Sequence, residues 1–313
     1  MCTAIRFNDR LFGRTLDFEK SFGEELIVTP RGRMKIGQAE NRYGMMGIGV
    51  MGAGMPLYFD GVNEWGLCSA ALNFPNYAVY HGSGAKAGVS SAYLIPMMLG
   101  FCRSVSEVRD MLSNIVINYR QADDGTSATP LHWIVSDPCE ALVVESVAEG
   151  LRVYDNPVGV LTNSPDFSYH LTRLSDFSYV SPKNPISKNQ RLCSRGMGAI
   201  GLPGDFSSSS RFVRAAFLRE NCRLSGEPGS VRDISLAFHI FDALSQPEGV
   251  VLSEKNEPVF TRYTAVVDMD MPSYYLTTAA CRTIHRYSLS NSLCEGDKIL
   301  TLPVFSEEII VEK

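Results

Sequence analysis

Apolar and polar residues alternate along several short segments, which is the pattern of half-buried β-strands. Two of these segments, TAIRF and LFGRTLDF, are joined by the turn residues NDR near the N-terminus. The segments LHWIVSD, ALVVES and LRVYD follow one another in the middle of the chain. The turn signals DPCE and AEG between them predict antiparallel hairpins. Later strands are predicted at VFTRYTAVVDM and SYYLTTA.

Helices are predicted where a capping residue precedes apolar positions three and four residues apart. Ser104 with Glu107 forms a capping box before one such segment, and Ser230 with Asp233 repeats it before another. A third helix is predicted to start near Ser209 or Ser210 and to run through RFVRAAFLREN. The order of strands, helix, strands, helices and strands favours an α+β fold with helices layered on antiparallel sheets over a parallel doubly wound sheet.

The segment from Ser178 to Ser210 is rich in Pro, Gly and Ser and has little periodicity. Because it is too long for a plain connector, it indicates either a functional excursion or an assembly arm. The chain shows no internal repeat and no low-complexity tail. We therefore predict one domain over residues 1–313.

Composition and charge exclude several classes of protein. The 313 residues are 45% hydrophobic and 20% charged, which is typical of a globular chain with a sizeable core. The balance of 29 basic and 34 acidic residues, without a basic run, argues against a nucleic-acid partner. No apolar stretch is long enough to span a membrane, and the N-terminus lacks a signal-peptide pattern, so we predict a soluble, cytoplasmic protein. The eight cysteines form no CxxC pair and are expected to stay reduced there.

Three apparent motifs do not indicate a site. Gly47, Gly49 and Gly52 satisfy G-x-G-x-x-G, but Pro56 follows too closely for the helix that a nucleotide site requires. The stretch GVSSA lacks the closing glycine of a nucleophile elbow. The five histidines have no i, i+4 spacing, so neither a metal site nor a Cys–His dyad follows from the sequence, and structural histidines are the better interpretation.

The N-terminal stretch MCTAIRF places a cysteine directly after the initiator methionine. Removal of Met1 would leave Cys2 with both a thiol and a free α-amine. Since ordinary pKa values are about 8.5 for a cysteine thiol and about 7.7 to 8.0 for an α-amine, a proton moves between two such groups at little cost. A nearby cation favours a thiolate, and a nearby carboxylate can orient the amine. GRTLDF supplies both residue types, as Arg14 and Asp17.

Six stretches, in order along the chain, resemble the choloylglycine hydrolase family of bile salt hydrolases and penicillin V acylases. They are MCTAIRF, FGRTLDFE, VTPRG, NEWGLCSAALNFPNYA, LTNSPDF and GLPGDFSSSSRFVR. The resemblance is strong from residue 2 to about residue 216 and weaker beyond. Because members of this family are N-terminal nucleophile hydrolases, it implies a four-layer αββα sandwich with two antiparallel sheets.

The resemblance implies that Cys2 is the nucleophile and that its own α-amine is the base. It implies that Arg14 lies beside the thiol and that Asp17 is hydrogen-bonded to the amine. The residue types alone leave a surface ion pair open, since an Arg and an Asp three apart on a regular strand point to opposite faces. For both to reach Cys2, the chain is expected to bulge or bend near Thr15 or Leu16.

Three further residues match the family. Asn73, in LNFP, matches the asparagine that helps to form the oxyanion hole, and Asn163, in LTNSP, matches the one that fixes the N-terminal residue and the oxyanion region. Either could instead be a turn residue, since each lies close to a proline. Arg211 matches the arginine at a helix start that stabilises the charged centre. A cation there opposes the helix dipole, which favours a functional role.

The resemblance implies hydrolysis of an amide through a cysteine thioester, without metal or organic cofactor. Penicillin V acylases often carry tyrosine where this chain has Asn73, so the predicted substrates are glycine or taurine conjugates of bile acids. Penicillin V, an N-acyl homoserine lactone, a silent amphiphile-binding protein and a thiol redox protein are the alternatives. Candidate residues for an apolar steroid pocket are Phe18, Phe22, Met55, Tyr58, Leu131 and Trp133.

The long segment from Ser178 to Ser210 resembles the assembly segment of tetrameric bile salt hydrolases. This resemblance implies a homotetramer.

Overall fold

A computed structural model describes residues 1–82, 87–118, 128–185, 196–304 and 307–308. Within these ranges, β-strands form two large sheets in which every neighbouring pair is antiparallel. The first sheet has seven strands, with β16 (Val251–Leu252) beside β17. The other six lie in the order β15 (Val160–Leu161), β1 (Cys2–Arg6), β2 (Leu11–Phe18), β17 (Pro258–Asp268), β18 (Ser273–Thr278) and β19 (His285–Ser288).

The second sheet has nine strands in the described chain, with β7 (Met55–Tyr58) beside β6. The others lie in the order β14 (Gly150–Asp155), β13 (Ala141–Val147), β12 (Leu131–Ser136), β9 (Cys68–Asn73), β8 (Asp60–Asn63), β6 (Met45–Gly52), β3 (Glu25–Thr29) and β20 (Leu300–Pro303). Two small strand pairs stand apart: β4 (Lys35–Ile36) with β5 (Ala39–Glu40), and β10 (Ala87–Ser90) with β11 (Ile115–Asn118).

Helices cover the outer face of each sheet. The nine-stranded sheet contacts α1 (Leu94–Phe101), and α2 (Val105–Leu112) lies in the same apolar layer. The seven-stranded sheet contacts α4 (Ser208–Asn221) and α5 (Val231–Asp242), and α3 (Phe167–Ser175) packs on α4. A short helix, α6 (Asn291–Cys294), contacts β3. In the described residues no helix is long and apolar enough to cross a membrane.

The alternation of side chains along β3 shows how the layers are filled. Leu26 and Val28 belong to the core cluster shared by the two sheets, whereas Ile27 belongs to the cluster beneath α1 and α2. All three are buried, as expected for a strand covered on both faces. The molecule is therefore an α+β sandwich of four layers, αββα, and the expected fold is confirmed.

The locally encoded elements agree with the sequence patterns. LFGRTLDF forms β2, and β12, β13 and β14 form the two predicted hairpins. Ser104 caps α2 and Ser230 caps α5. Each serine side chain accepts a hydrogen bond from the backbone N–H three residues later in the chain. The third predicted helix is α4, which begins at Ser208 with Ser207 as its cap.

The segment from Ser178 to Ser210 lies partly outside the described residues, because 186–195 are not included. Its described parts are turns that lie between α3 and α4, and the start of α4 itself. A cavity of about 810 Å³ is lined by this segment, α3 and α4. The predicted homotetramer stays a prediction.

Candidate active site

Cys2 is the first residue of β1 and is 2% exposed. Its partner across the β1–β2 ladder is Leu16. Met1 extends this pairing by one residue, because the Asp17 N–H donates to the Met1 carbonyl at 2.8 Å and the Met1 amino nitrogen donates to the Asp17 carbonyl. The backbone of β2 thus holds the start of the chain in a fixed position.

Asn163 lies where the N-terminal strand meets the end of β9. Its Oδ1 accepts hydrogen bonds from the Cys2 backbone nitrogen at 2.7 Å and from Nη2 of Arg211 at 2.8 Å. Its Nδ2 donates to the carbonyl of Asn73 at 2.8 Å. One side-chain amide therefore brings together four of the predicted residues, namely Cys2, Asn73, Asn163 and Arg211.

Arg211 is fully buried in the first turn of α4. Besides Asn163, its guanidinium donates to the Cys2 carbonyl, to Oγ1 of Thr3 at 2.6 Å and to the Phe206 carbonyl at 3.0 Å. Burial lowers the pKa of Arg211 below its ordinary value, while the Asp17 and Cys2 charges oppose that shift. A buried cation at a helix start is compensated here by oxygen acceptors that converge on it.

Arg14 and Asp17 are both buried, but they lie on opposite faces of β2. The Asp17 carboxylate accepts from Oγ1 of Thr261 at 2.7 Å and from Nε2 of Gln246 at 3.2 Å. It makes no hydrogen bond to Cys2 in the described chain, in which Met1 is still attached. The surface ion pair is thereby ruled out, since neither residue is at the surface and Arg14 pairs elsewhere.

The bulge or bend expected near Thr15 or Leu16 is absent from β2, so that prediction is wrong. β2 is continuous from Leu11 to Phe18, and the register shift lies between Thr261 and Tyr263 of β17. Cys2 is the first residue of β1 and pairs with Leu16, so Asp17 adjoins its partner on β2 and Arg14 lies two residues from that partner.

Arg14 points between the two sheets. Its Nη1 donates to Oδ2 of Asp60 at 3.1 Å, and burial of this pair is nearly complete. Burial alone lowers the pKa of Arg14, but the neighbouring Tyr263, Cys2 and Asp60 outweigh it and raise that pKa above its ordinary value. Arg14 therefore carries a positive charge near Cys2. The sequence patterns did not single out Asp60, because its partners lie on distant strands.

Asn73 ends β9, and its main-chain oxygen is the acceptor described above. Its side chain is half-buried and forms no hydrogen bond to any residue in the described part of the chain. The next residue, Phe74, is buried and stacks on His132 with ring centroids 4.2 Å apart. The Asn73 amide is thus held by the backbone with its N–H groups unused.

A buried polar network behind Asn163 was missed by the sequence patterns. Ser208 accepts from the Asn163 N–H at 2.9 Å, and Nε2 of His170 lies 2.8 Å from the Asn163 carbonyl oxygen. His132 bridges Glu145 and the carbonyl of Thr162 at 3.1 and 2.8 Å. These histidines are structural, as expected, but they support the site. The sequence did offer one signal of this network, since His132 lies within the apolar strand β12.

Aromatic residues adjoin Arg14. Its Nη1 also lies 3.3 Å from the Phe59 carbonyl. The Phe59 ring packs on Phe22 with centroids 5.6 Å apart, and Phe22 packs on Phe18 at 4.7 Å. Phe22 is 42% exposed, so this cluster presents apolar surface to solvent.

Two of the candidate pocket residues belong to the core. Tyr58 and Trp133 are buried in the cluster beneath α1 and α2, where β-sheet alternation directs their side chains away from the other sheet. Leu131 and Met55 pack against the same cluster. The prediction that Tyr58 and Trp133 line a substrate pocket is therefore wrong.

Comparison with known proteins agrees with this geometry. Residues 2–301 match the linear amide C–N hydrolases of the choloylglycine hydrolase family. The chain is 39% identical to a bile salt hydrolase/transferase of Lactiplantibacillus plantarum, with 98% of each chain covered. It superposes on a variant of the conjugated bile acid hydrolase from Clostridium perfringens with a TM-score of 0.90 and 30% identity, covering 100% of this chain and 99% of the other. A penicillin V acylase from Agrobacterium tumefaciens has the same fold, with a TM-score of 0.77, 21% identity, and 97% and 91% coverage. The chain belongs to the choloylglycine hydrolase family of linear amide C–N hydrolases.

Proposed function

We propose that the protein hydrolyses the amide bond of glycine- or taurine-conjugated bile salts with Cys2 as nucleophile. The observation that carries the proposal is the convergence of the Cys2 nitrogen, Arg211 and the Asn73 carbonyl on the Asn163 side chain. Relatives that are 30% or more identical over nearly the whole chain are named bile salt hydrolase/transferase or conjugated bile acid hydrolase, which supports this substrate class.

The reaction requires that Met1 be removed, so that the Cys2 nitrogen becomes an amine. The amine takes the thiol proton, and the sulfur attacks the amide carbonyl carbon to form a C–S bond. The oxyanion formed accepts a hydrogen bond from the unused amide N–H of Asn73. The amine then gives its proton to the leaving nitrogen, the C–N bond breaks, and glycine or taurine departs.

Water completes the cycle by attacking the thioester. The Cys2 amine takes a proton from that water, and the new C–O bond forms as the C–S bond breaks. The amine then gives the proton to the leaving sulfur, which regenerates the thiol and the free amine as the bile acid departs. An amine serves as base only while its lone pair is free. Because Asn163 Oδ1 accepts an N–H at 2.7 Å, it fixes the nitrogen without occupying that lone pair.

The aromatic cluster next to Arg14 supports an apolar substrate body. The cluster of Phe18, Phe22 and Phe59 begins at the carbonyl that Arg14 contacts. Aromatic walls of this kind suit a rigid apolar ligand, while the polar groups around Cys2 suit its amide.

The test is release of free amino acid from glycocholate and taurocholate by the purified protein. Release is expected from at least one conjugate and is expected to vanish in Cys2→Ala, while Cys139→Ala, at an exposed cysteine, retains it. Penicillin V and an N-acyl homoserine lactone are assayed at the same concentration. Turnover of either of these with none of the two conjugates would contradict the substrate assignment, and full activity in Cys2→Ala would contradict the mechanism.

A further inference from the structure

Arg14 is anchored along most of its length. Its Nε donates to the Thr15 carbonyl at 3.0 Å, and its Nη1 lies within 3.3 Å of Asp60 Oδ2, the Tyr263 hydroxyl and the Phe59 carbonyl. The side chain is fully buried. Nη2 is the exception, since it is buried and has no hydrogen-bond partner among the described residues. An unsatisfied buried guanidinium N–H is costly, which indicates that it serves a ligand or a reacting group.

Asp60 receives three donors on its two carboxylate oxygens. The Tyr263 hydroxyl and Nη1 of Arg14 share Oδ2, and the Tyr274 hydroxyl donates to Oδ1. The carboxylate is 1% exposed, and both tyrosines are buried. Because each oxygen is held by a phenol, the carboxylate cannot rotate without breaking a buried hydrogen bond.

The members of this cluster come from different sheets. Asp60 begins β8 of the nine-stranded sheet, whereas Arg14, Tyr263 and Tyr274 lie on adjacent strands of the seven-stranded sheet. Burial raises the pKa of both phenols well above the ordinary value, so they remain protonated donors. The cluster therefore fixes Arg14 relative to both layers of the sandwich.

Gly47 allows Asp60 to lie this close to β6. A Cβ atom at position 47 would stand 2.0 Å from the Asp60 carbonyl oxygen. Gly47 and Gly49 thus reflect close strand approach rather than phosphate binding.

We propose that Asp60, held by Tyr263 and Tyr274, is a positioning residue that fixes Arg14 so that its free Nη2 is available to the reacting centre at Cys2. The inference rests on the proposed role of Cys2 as nucleophile. Asp60 itself touches no reacting atom, because its oxygens are occupied by the two phenols and Arg14. Its removal is expected to lower turnover only by way of Arg14.

A double-mutant cycle tests this route. Asp60→Asn is expected to lower kcat by between about 10- and 100-fold with KM changed by less than about threefold, since the charged hydrogen bond is made by the enzyme alone. In the Arg14→Met background the same change is expected to alter kcat by less than about twofold. Tyr274→Phe, which loosens Asp60 without changing charge, covers the case in which Asp60→Asn fails to fold. Its expected loss is about threefold to tenfold.

Asp268→Asn provides the matched control. Asp268 is also 1% exposed, lies on β17 and accepts from Nη2 of Arg10 at 3.2 Å. Asp268 pairs with Ser273, next to Tyr274, but strand alternation places its side chain on the opposite face of β17 from Tyr263. The kcat of Asp268→Asn is therefore expected to stay within about twofold of wild type, whatever the effect on stability. The proposal would be overturned if the kcat losses of Asp60→Asn and Arg14→Met multiplied in the double variant. It would also be overturned if Asp268→Asn lost as much kcat as Asp60→Asn.

A spectroscopic measurement separates this inference from the proposed function. The ¹H–¹⁵N signal of Arg14 Nε, assigned by its loss in Arg14→Met, is expected to weaken through exchange in Asp60→Asn and Tyr274→Phe but not in Asp268→Asn. An Arg14 signal unchanged in both cluster variants would overturn the positioning role. A wild type that turned over no substrate would contradict the proposed function and leave this result to decide the positioning role by itself.

Discussion

Asn163→Asp tests whether the shared amide organises the site. Asparagine and aspartate side chains have the same shape, so Oδ1 of the variant still accepts from the Cys2 nitrogen and from Arg211. The substitution replaces Nδ2, a donor, with a carboxylate oxygen, an acceptor. Nδ2 now donates to the Asn73 carbonyl oxygen at 2.8 Å, so in the variant two acceptor oxygens would face each other there.

The magnitude follows from that single contact. Removing the donor of a buried hydrogen bond and leaving its acceptor unsatisfied costs about 1 to 3 kcal/mol. The upper value, about 3 kcal/mol, corresponds to about a 150-fold reduction in rate if the segment around Asn73 moves away from the oxyanion. This agrees with the loss of about 10² to 10³ in kcat that follows removal of one oxyanion donor.

The assay is kcat for the bile salt conjugate that the wild type hydrolyses best. Asn156→Asp is the matched control, because Asn156 is 4% exposed and its Nδ2 likewise donates to a main-chain oxygen, that of Val160 at 3.1 Å. The control is expected to lose stability but to keep kcat within about threefold of wild type once corrected for the folded fraction.

Two results would refute the reasoning. One is an Asn163→Asp protein whose kcat stays within a factor of three of wild type, because the Asn73 segment would then not depend on this amide. The other is an equal loss in Asn156→Asp, because the effect would then come from any buried carboxylate rather than from the site.

Two further predictions concern the chain start and pH. Insertion of one alanine between Met1 and Cys2 is expected to abolish hydrolysis, because the Cys2 nitrogen would remain an amide. The circular dichroism spectrum is expected to stay unchanged. Activity in this variant, with the insertion verified by mass spectrometry, would argue against the amine as base. Burial lowers the pKa of His170 to about 4, so the unfolded chain binds more protons between pH 6.5 and 4 and stability falls as the pH falls through that window. Between pH 7.5 and 5 the wild-type free energy of unfolding is expected to drop by about 2 kcal/mol more than that of His170→Gln; equal drops in urea titrations would contradict this.

The sequence by itself determined the parts of the molecule that depend on neighbouring residues. Alternation over a few positions specified β2 and the hairpins of β12 to β14, and serine caps specified the starts of α2 and α5. The strands formed by near-continuous apolar runs, such as β3, were not predicted, because burial on both faces removes the alternation. The six ordered stretches identified the family and with it the residues to examine.

Only the tertiary structure decided which side chains meet. Asn163 reaches Cys2 across 161 positions of chain, and Asp60 reaches Tyr274 across 214. These contacts arise because β1 pairs with β2 and β15, β2 pairs with β17, and the two sheets then face each other. No local spacing encodes such pairings, since their stability comes from strand ladders and from apolar packing between distant segments. The proposed nucleophile, Cys2, could therefore be predicted from the order of residues, whereas the groups that hold Arg14 and Asn163 in place required the folded chain.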